Sequence, residues 1–273
     1  GGLLIADTTA TPMTIVGEYG QAIVNGAGCG GVQVANEMWI NAGVSAAGSG
    51  VDQSTYTMYT IDDVFGSSAN AENTPLPTEV FRDPTNTATL GSTVGAANNT
   101  TGQVPGTTTR RDAHGAVATI TGSHVHNVDR IQNNVEVFDA VSYTRTTYDL
   151  TSADGQGGGT GPCDAASVTD DPALPSNDPA PDLMAAGPNG SYLFVALRGP
   201  TPVSVTHSAQ GSCPGVGVIE LSSDGSSGML VGVLRSTNTV DTAPVSAPGG
   251  IAYTGVEHSD IHGASVRVRV EDN

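Results

Sequence analysis

The chain contains no lysine. All nine basic residues are arginine, against 19 Asp and 8 Glu, which gives a formal charge of −18 over 273 residues. Nucleic acid and anionic membrane surfaces both require a basic footprint, so neither is expected as a partner. Aromatic residues make up only 4%, and no run of 18 apolar residues occurs, so no membrane-spanning helix is expected. The opening GGLLIADTTA has neither the charged region nor the apolar run of a signal peptide, and a processed or partial chain is expected.

Cysteine is also scarce. Cys29, Cys163 and Cys213 form no C-x-x-C and no C-x-x-C-H, so zinc ribbons and c-type haem attachment lack their ligand spacing. Cys163 and Cys213 lie in the Gly-rich loops GTGPCDAAS and QGSCPGVG, which fits an oxidising compartment: extracellular, cell surface or periplasmic. A Cys163–Cys213 disulfide with Cys29 free or buried is expected; three buried thiols are the other arrangement. There is no G-x-S-x-G, and the Gly-rich segments lack the strand-then-helix context of a phosphate loop.

What is present is a repeat. GSHVHNVDR (122–130) and GSYLFVALR (190–198) share a nine-residue frame that opens Gly-Ser and closes on Arg. Each is followed by a short strand ending in an acid, VEVFD (135–139) and VGVIE (216–220), and LLIAD (3–7) and MYTID (58–62) match them. After each acid comes one more apolar stretch: MTIVGEY (13–19), TEVFRD (78–83), RTTYDLT (145–151) and GMLVGVL (228–234). Upstream of a frame lies a further strand, DAHGAVATI (112–120), whose signature returns as DIHGASVRV (260–268). The unit is four short strands joined by turns, which predicts an all-β β-propeller of four-stranded antiparallel blades.

PNGSYLFVALRG with GVGVIEL, HVHNVDR with NNVEVFDA, and LLIADTT resemble blades of the YVTN-type, lactonase-like β-propellers. The resemblance implies a ring of about seven blades. The strand count then makes residues 1–273 a single propeller domain or its C-terminal part, about three full blades with partial blades at both ends. Stretches 64–111 and 152–181 are long loop insertions. Such propellers serve as lactonases, binding proteins and cell-surface modules, so the fold alone does not select the function.

Strand alternation puts His124 and His126 on one face, where the later frame has Tyr192 and Phe194. The pair reads either as packed histidines or as the start of a metal site. Aligning DAHG (112–115), DLMA (182–185) and DIHG (260–263) places His114, Met184 and His262 at one equivalent position, two residues after Asp112, Asp182 and Asp260. In the first blade the same alignment offers Gly20. Innermost strands line the central channel, so these six residues are the channel-mouth candidates. The imidazoles of His114 and His262 with the Met184 thioether would suit copper, and the adjacent carboxylates calcium; His124 and His126 are the other candidate metal ligands. The bland alternative is a turn in which Asp caps its own backbone and Gly takes an unusual φ.

Two functions are therefore expected. The first is a binding or structural module in an extracellular assembly, with another protein or a glycan as partner, its long loops or unpaired strand edges making the contact. The second is a metal-dependent enzyme at the channel mouth, a lactonase-like hydrolase or an oxidoreductase.

Overall fold

The computed structural model describes residues 2–20, 22–24, 28–42, 56–64, 75–83, 88–89, 108–109, 111, 113–130, 132–157, 160–163, 179–198, 211, 213–236, 245–246, 252–253 and 261–267. Asp112 and Asp260 lie outside them.

Strands β1 (Gly2–Asp7) and β2 (Thr14–Gly20) form a two-stranded sheet. The first four-stranded sheet comprises β3 (Gly31–Val34), β4 (Glu37–Ala42), β5 (Thr57–Asp62) and β6 (Thr78–Arg82). A short pair follows, β7 (Ala88–Thr89) with β8 (Thr108–Thr109). The second sheet contains β9 (Ala113–Ala118), β10 (His124–Asp129), β11 (Asn134–Asp139) and β12 (Arg145–Asp149). The third contains β13 (Pro181–Ala186), β14 (Tyr192–Leu197), β15 (Gly215–Leu221) and β16 (Gly228–Arg235). A last pair joins β17 (Val245–Ser246) to β18 (Ala252–Tyr253).

In each four-stranded sheet the strands pair antiparallel in sequence order, and the first strands β3, β9 and β13 lie side by side. This is the arrangement of successive propeller blades about an axis. The insertion at 64–111 is not one long loop, because it contains β6, the closing strand of the first blade.

The two nine-residue frames are the second strands β10 and β14. Their opening glycines, Gly122 (φ 70°) and Gly190 (φ 76°), occupy left-handed positions in the preceding turns, which explains the shared Gly-Ser. The acids that end the third strands fall at Asp7, Asp62 and Asp139; Glu220 stands one residue before the end of β15.

Apolar faces bury between blades. Trp39, Tyr56 and Met58 of the first sheet and its margin pack against Val125 and Phe138 of the second. Val128, Val135, Val137 and Tyr148 on the opposite face pack against Leu193, Val195, Leu197 and Ile219 of the third. Each such side chain removed from water contributes about 1.5–3 kcal/mol, so inter-blade stacking is the main source of stability. Cys163 and Cys213, both buried beside this second layer, form a disulfide with Cα atoms 5.3 Å apart.

A buried ionic cluster reinforces the first interface. Arg111 donates through Nε to Asp129 Oδ2 (2.6 Å), through Nη1 to Asp83 Oδ2 (3.2 Å) and through Nη2 to Glu136 Oε1, with its guanidinium 4.3 Å from the Tyr56 ring centroid. Burial opposes its charge, but Asp129, Tyr56 and Glu136 outweigh that and raise its pKa further.

Candidate functional site

The axis is lined by first strands, and two of them share an irregularity. In β9, Ala113 pairs with Asp129 and Ala116 with Asn127, three steps against two. In β13, Pro181 pairs with Leu197 and Met184 with Val195, again three against two. Each is a β-bulge, which re-aims the side chain beside it. With Ala113 and Pro181 in register, the equivalent of His114 is Asp182, and Met184 corresponds to Ala116.

This corrects the sequence alignment by two residues. Matching the aspartates of DAHG and DLMA hid the fact that in the third blade the aspartate itself fills the His114 position. Met184 accordingly packs against the apolar layer between the second and third sheets.

The same geometry identifies the first blade's member. A Cβ on Gly115 would stand 2.5 Å from Asp182 O and 3.1 Å from Met184 N; one on Gly30 would stand 2.6 Å from His114 O and 2.9 Å from Ala116 N. Gly30 thus meets β9 as Gly115 meets β13, and Cys29 is the counterpart of His114. Gly20, at the end of β2, is not at this position. On the far side His262 lies beside β13, its carbonyl accepting from Leu183 N (3.2 Å).

One chemistry-bearing side chain from each unit therefore meets the next: Cys29, His114, Asp182, His262. Cys29 Sγ lies 3.2 Å from His114 Nε2, the same nitrogen lies 2.9 Å from Asp182 Oδ1, and Asp182 Oδ2 is 3.8 Å from His262 Nδ1. Asp182 Oδ1 is buried without a hydrogen-bond partner among the described residues, so its approach to His114 is an ion-pair contact, and the hydrogen bond of His114 Nε2 runs to Cys29 Sγ.

Behind the ladder stand the arginines that close the two frames. Arg198 Nη1 donates to Asp182 Oδ2 (3.1 Å) and lies 2.6 Å from His262 Nε2, while Arg130 Nη1 reaches Asp182 Oδ2 at 3.4 Å. Asp182, Arg130, Arg198 and His114 are buried, whereas Cys29 is exposed and the His262 side chain is 40% exposed. Burial raises the pKa of Asp182, but the close contact with His114 and the charges of His114, Arg130 and Arg198 overcome it, holding the carboxyl below its ordinary range.

Asn41 locks the near end. Its Oδ1 accepts the backbone N–H groups of Cys29 (3.0 Å) and Gly30 (2.9 Å), and its Nδ2 donates to Asn127 Oδ1 (2.6 Å) and to His114 O.

The histidine pair is elsewhere. His126 Nε2 donates to Gly225 O (2.9 Å) of the next blade and its Nδ1 accepts from Tyr148 Oη (3.1 Å) of its own, so both nitrogens are engaged. His124 sits at the turn, with Nδ1 3.0 Å from Ser123 Oγ and Nε2 3.9 Å from Asp139 Oδ2.

Among the described residues, no three His, Cys, Asp or Glu side chains are grouped to share a metal ion. Two guanidiniums beside Asp182 would also repel a calcium or copper ion there. The described donors do not fit a metal. Gly115 lies within β9 and is required by the close approach of β13, so residues 113–115 are strand rather than turn, while the capping role considered for Asp112 lies outside the described residues.

Cys29, Asn41, Arg130 and Arg198 were not singled out from the sequence as site residues. Two signals for them exist: both frames close on Arg, and Cys29-Gly30, His114-Gly115 and His262-Gly263 share a following glycine.

No protein-family model matches the chain, and no curated protein matches it. Solved structures similar to it include a protein of unknown function from Desulfotomaculum acetoxidans (10% identity, TM-score 0.37, covering 84% of this chain and 62% of that one). Candidate 6-phosphogluconolactonases from Bacteroides uniformis (10% identity, TM-score 0.37) and Bacteroides fragilis (10% identity, TM-score 0.35) each cover 88% of this chain and 67% of their own. The chain thus spans 62–67% of the length of these structures.

Proposed function

We propose that this chain is a hydrolase of the YVTN-type, lactonase-like propeller class, acting on a cyclic ester at the axial ladder. The supporting observation is the meeting of Cys29, His114, Asp182 and His262 at one level, with Arg130 and Arg198 behind Asp182. Ester hydrolysis needs a proton acceptor and positive charge beside the oxygen on which negative charge develops. His262 is the imidazole open to solvent, and its contact with Arg198 orients it. Arg130 and Arg198 place positive charge beside the site within a protein that is otherwise strongly acidic.

A pH-stat assay of the purified protein on a panel of γ- and δ-lactones is expected to detect acid release. His262→Gln should lower kcat/KM at least about tenfold. A protein that opens none of the lactones, or a variant with unchanged kcat/KM, rules the reading out.

A second reading draws on the two ends of the stack. Leu4 and Ile15 on β1 and β2 are 63% and 57% exposed, and Leu234 on β16 is 65% exposed. These positions suit stacking against further blades of a ring of about seven, or against a protein or glycan partner in an extracellular assembly. The buried disulfide supports an oxidising compartment for either reading. A native mass of a monomer under all conditions counts against assembly.

A further inference from the structure

We propose that Cys29 is the nucleophile of this site and carries the acyl group as a thioester; the proposal rests on the hydrolase reading above. Cys163 and Cys213 are joined, so Cys29 is the single cysteine outside the disulfide, and it is the exposed end of the ladder. Its sulfur does not stand alone. The Nε2–H of His114 is within hydrogen-bond reach of it, 3.2 Å from nitrogen to sulfur, with Asp182 Oδ1 2.9 Å from the same nitrogen, and both of those residues are buried. A thiolate accepts that hydrogen and is held beside imidazole in a fixed position. Asn41 sets the distance, since one carboxamide binds the Cys29 and Gly30 amides on one side and the His114 carbonyl on the other.

The chemistry balances with water alone. Cys29 loses its proton to solvent, and the thiolate attacks the lactone carbonyl carbon. The ring C–O bond breaks, the departing alkoxide takes a proton from water, and an S-acyl enzyme remains. Water then adds to the thioester carbonyl, the C–S bond breaks and the thiolate is released with a hydroxy acid. Asp182 keeps its negative charge throughout, oriented by Arg130 and Arg198.

The test uses p-nitrophenyl acetate as acyl donor with intact-mass and peptide mass spectrometry. Wild-type protein is expected to gain one hydroxylamine-labile acetyl group on the Cys29 peptide. Cys29→Ser, at an exposed position, should fold normally, gain no such thioester and lose lactone hydrolysis. His114→Gln, with folding checked by near-UV circular dichroism, should slow acylation at least about tenfold. Absence of an acetyl group on Cys29, an acylation rate unaffected by His114→Gln, or full lactone hydrolysis in Cys29→Ser overturns the proposal. Hydrolysis that survives Cys29→Ser but fails in His262→Gln removes the nucleophile and leaves the hydrolase reading. Acylation of Cys29 in a protein that opens no lactone does the reverse.

Discussion

Asp182 shows how strongly one residue can depend on its partners. Its carboxylate is buried, with Arg130, Arg198 and His114 all within ion-pair distance. Asp182→Asn deprives two buried guanidiniums of the charge they share, and removing one partner of a buried pair costs about 3–5 kcal/mol. Urea unfolding should show a loss of that size. His126 gives a pH signature in a different window. Burial, with His124 adding to it and Gly225 opposing, pushes its pKa from 6.5 down to about 4. Between those values the unfolded chain binds the additional proton, so stability is full above pH 6.5 and is lost as the pH falls through about 4. The loss is on the order of 3 kcal/mol at most. His126→Phe, the residue type at the equivalent Phe194, should flatten the decline of Tm over that range. An unchanged decline would assign the acid sensitivity to other groups. The Asp182 contribution, from a depressed carboxyl, is lost only as the pH falls below its ordinary 3.8.

At the level of elements, the inner strands combine a bulge with a close approach. The bulges in β9 and β13 aim His114 and Asp182 at each other, and Gly115 lets β13 come near enough for them to touch. A methyl group at 115 would meet the backbone atoms Asp182 O at 2.5 Å and Leu183 Cα at 2.6 Å, which cannot rotate away. Gly115→Ala should destabilise by about 1–3 kcal/mol and lengthen the His114 to Asp182 contact. Gly232→Ala, where nothing lies within 4 Å, is the control expected to stay near wild type. Comparing the two Tm values tests the claim, and equal shifts would disprove it. The four-strand unit was legible because strand alternation, hairpin glycines and terminal acids are local patterns. The bulges were not, since an extra residue in one strand shows only against its partner.

At the scale of the molecule, the charge of −18 is balanced by stacking. Surface carboxylates repel one another over a screening length of about 10 Å at 0.1 M salt and about 3 Å at 1 M. The Tm should therefore rise with sodium chloride between those concentrations, most clearly near neutral pH where all exposed carboxylates are ionised. A flat or falling profile would mean that the surface charges are already compensated locally. The ion pairs of Arg111 and Asp182 are buried and respond little to salt, so the effect belongs to the surface.

By itself the sequence determined the blade: which residues form strands, which glycines turn the chain, and that the same unit returns. It also singled out His114 and His262 through the recurring Asp-x-His-Gly, and Asp182 through the aspartate aligned with it. Only the tertiary structure decided which of them are neighbours. Contacts across blades depend on the stagger of separate sheets and on a one-residue bulge, and neither leaves a mark in the spacing along one strand. For that reason Met184 fell into the apolar layer, Cys29 entered the ladder in place of Gly20, and the two closing arginines became partners of a single carboxylate.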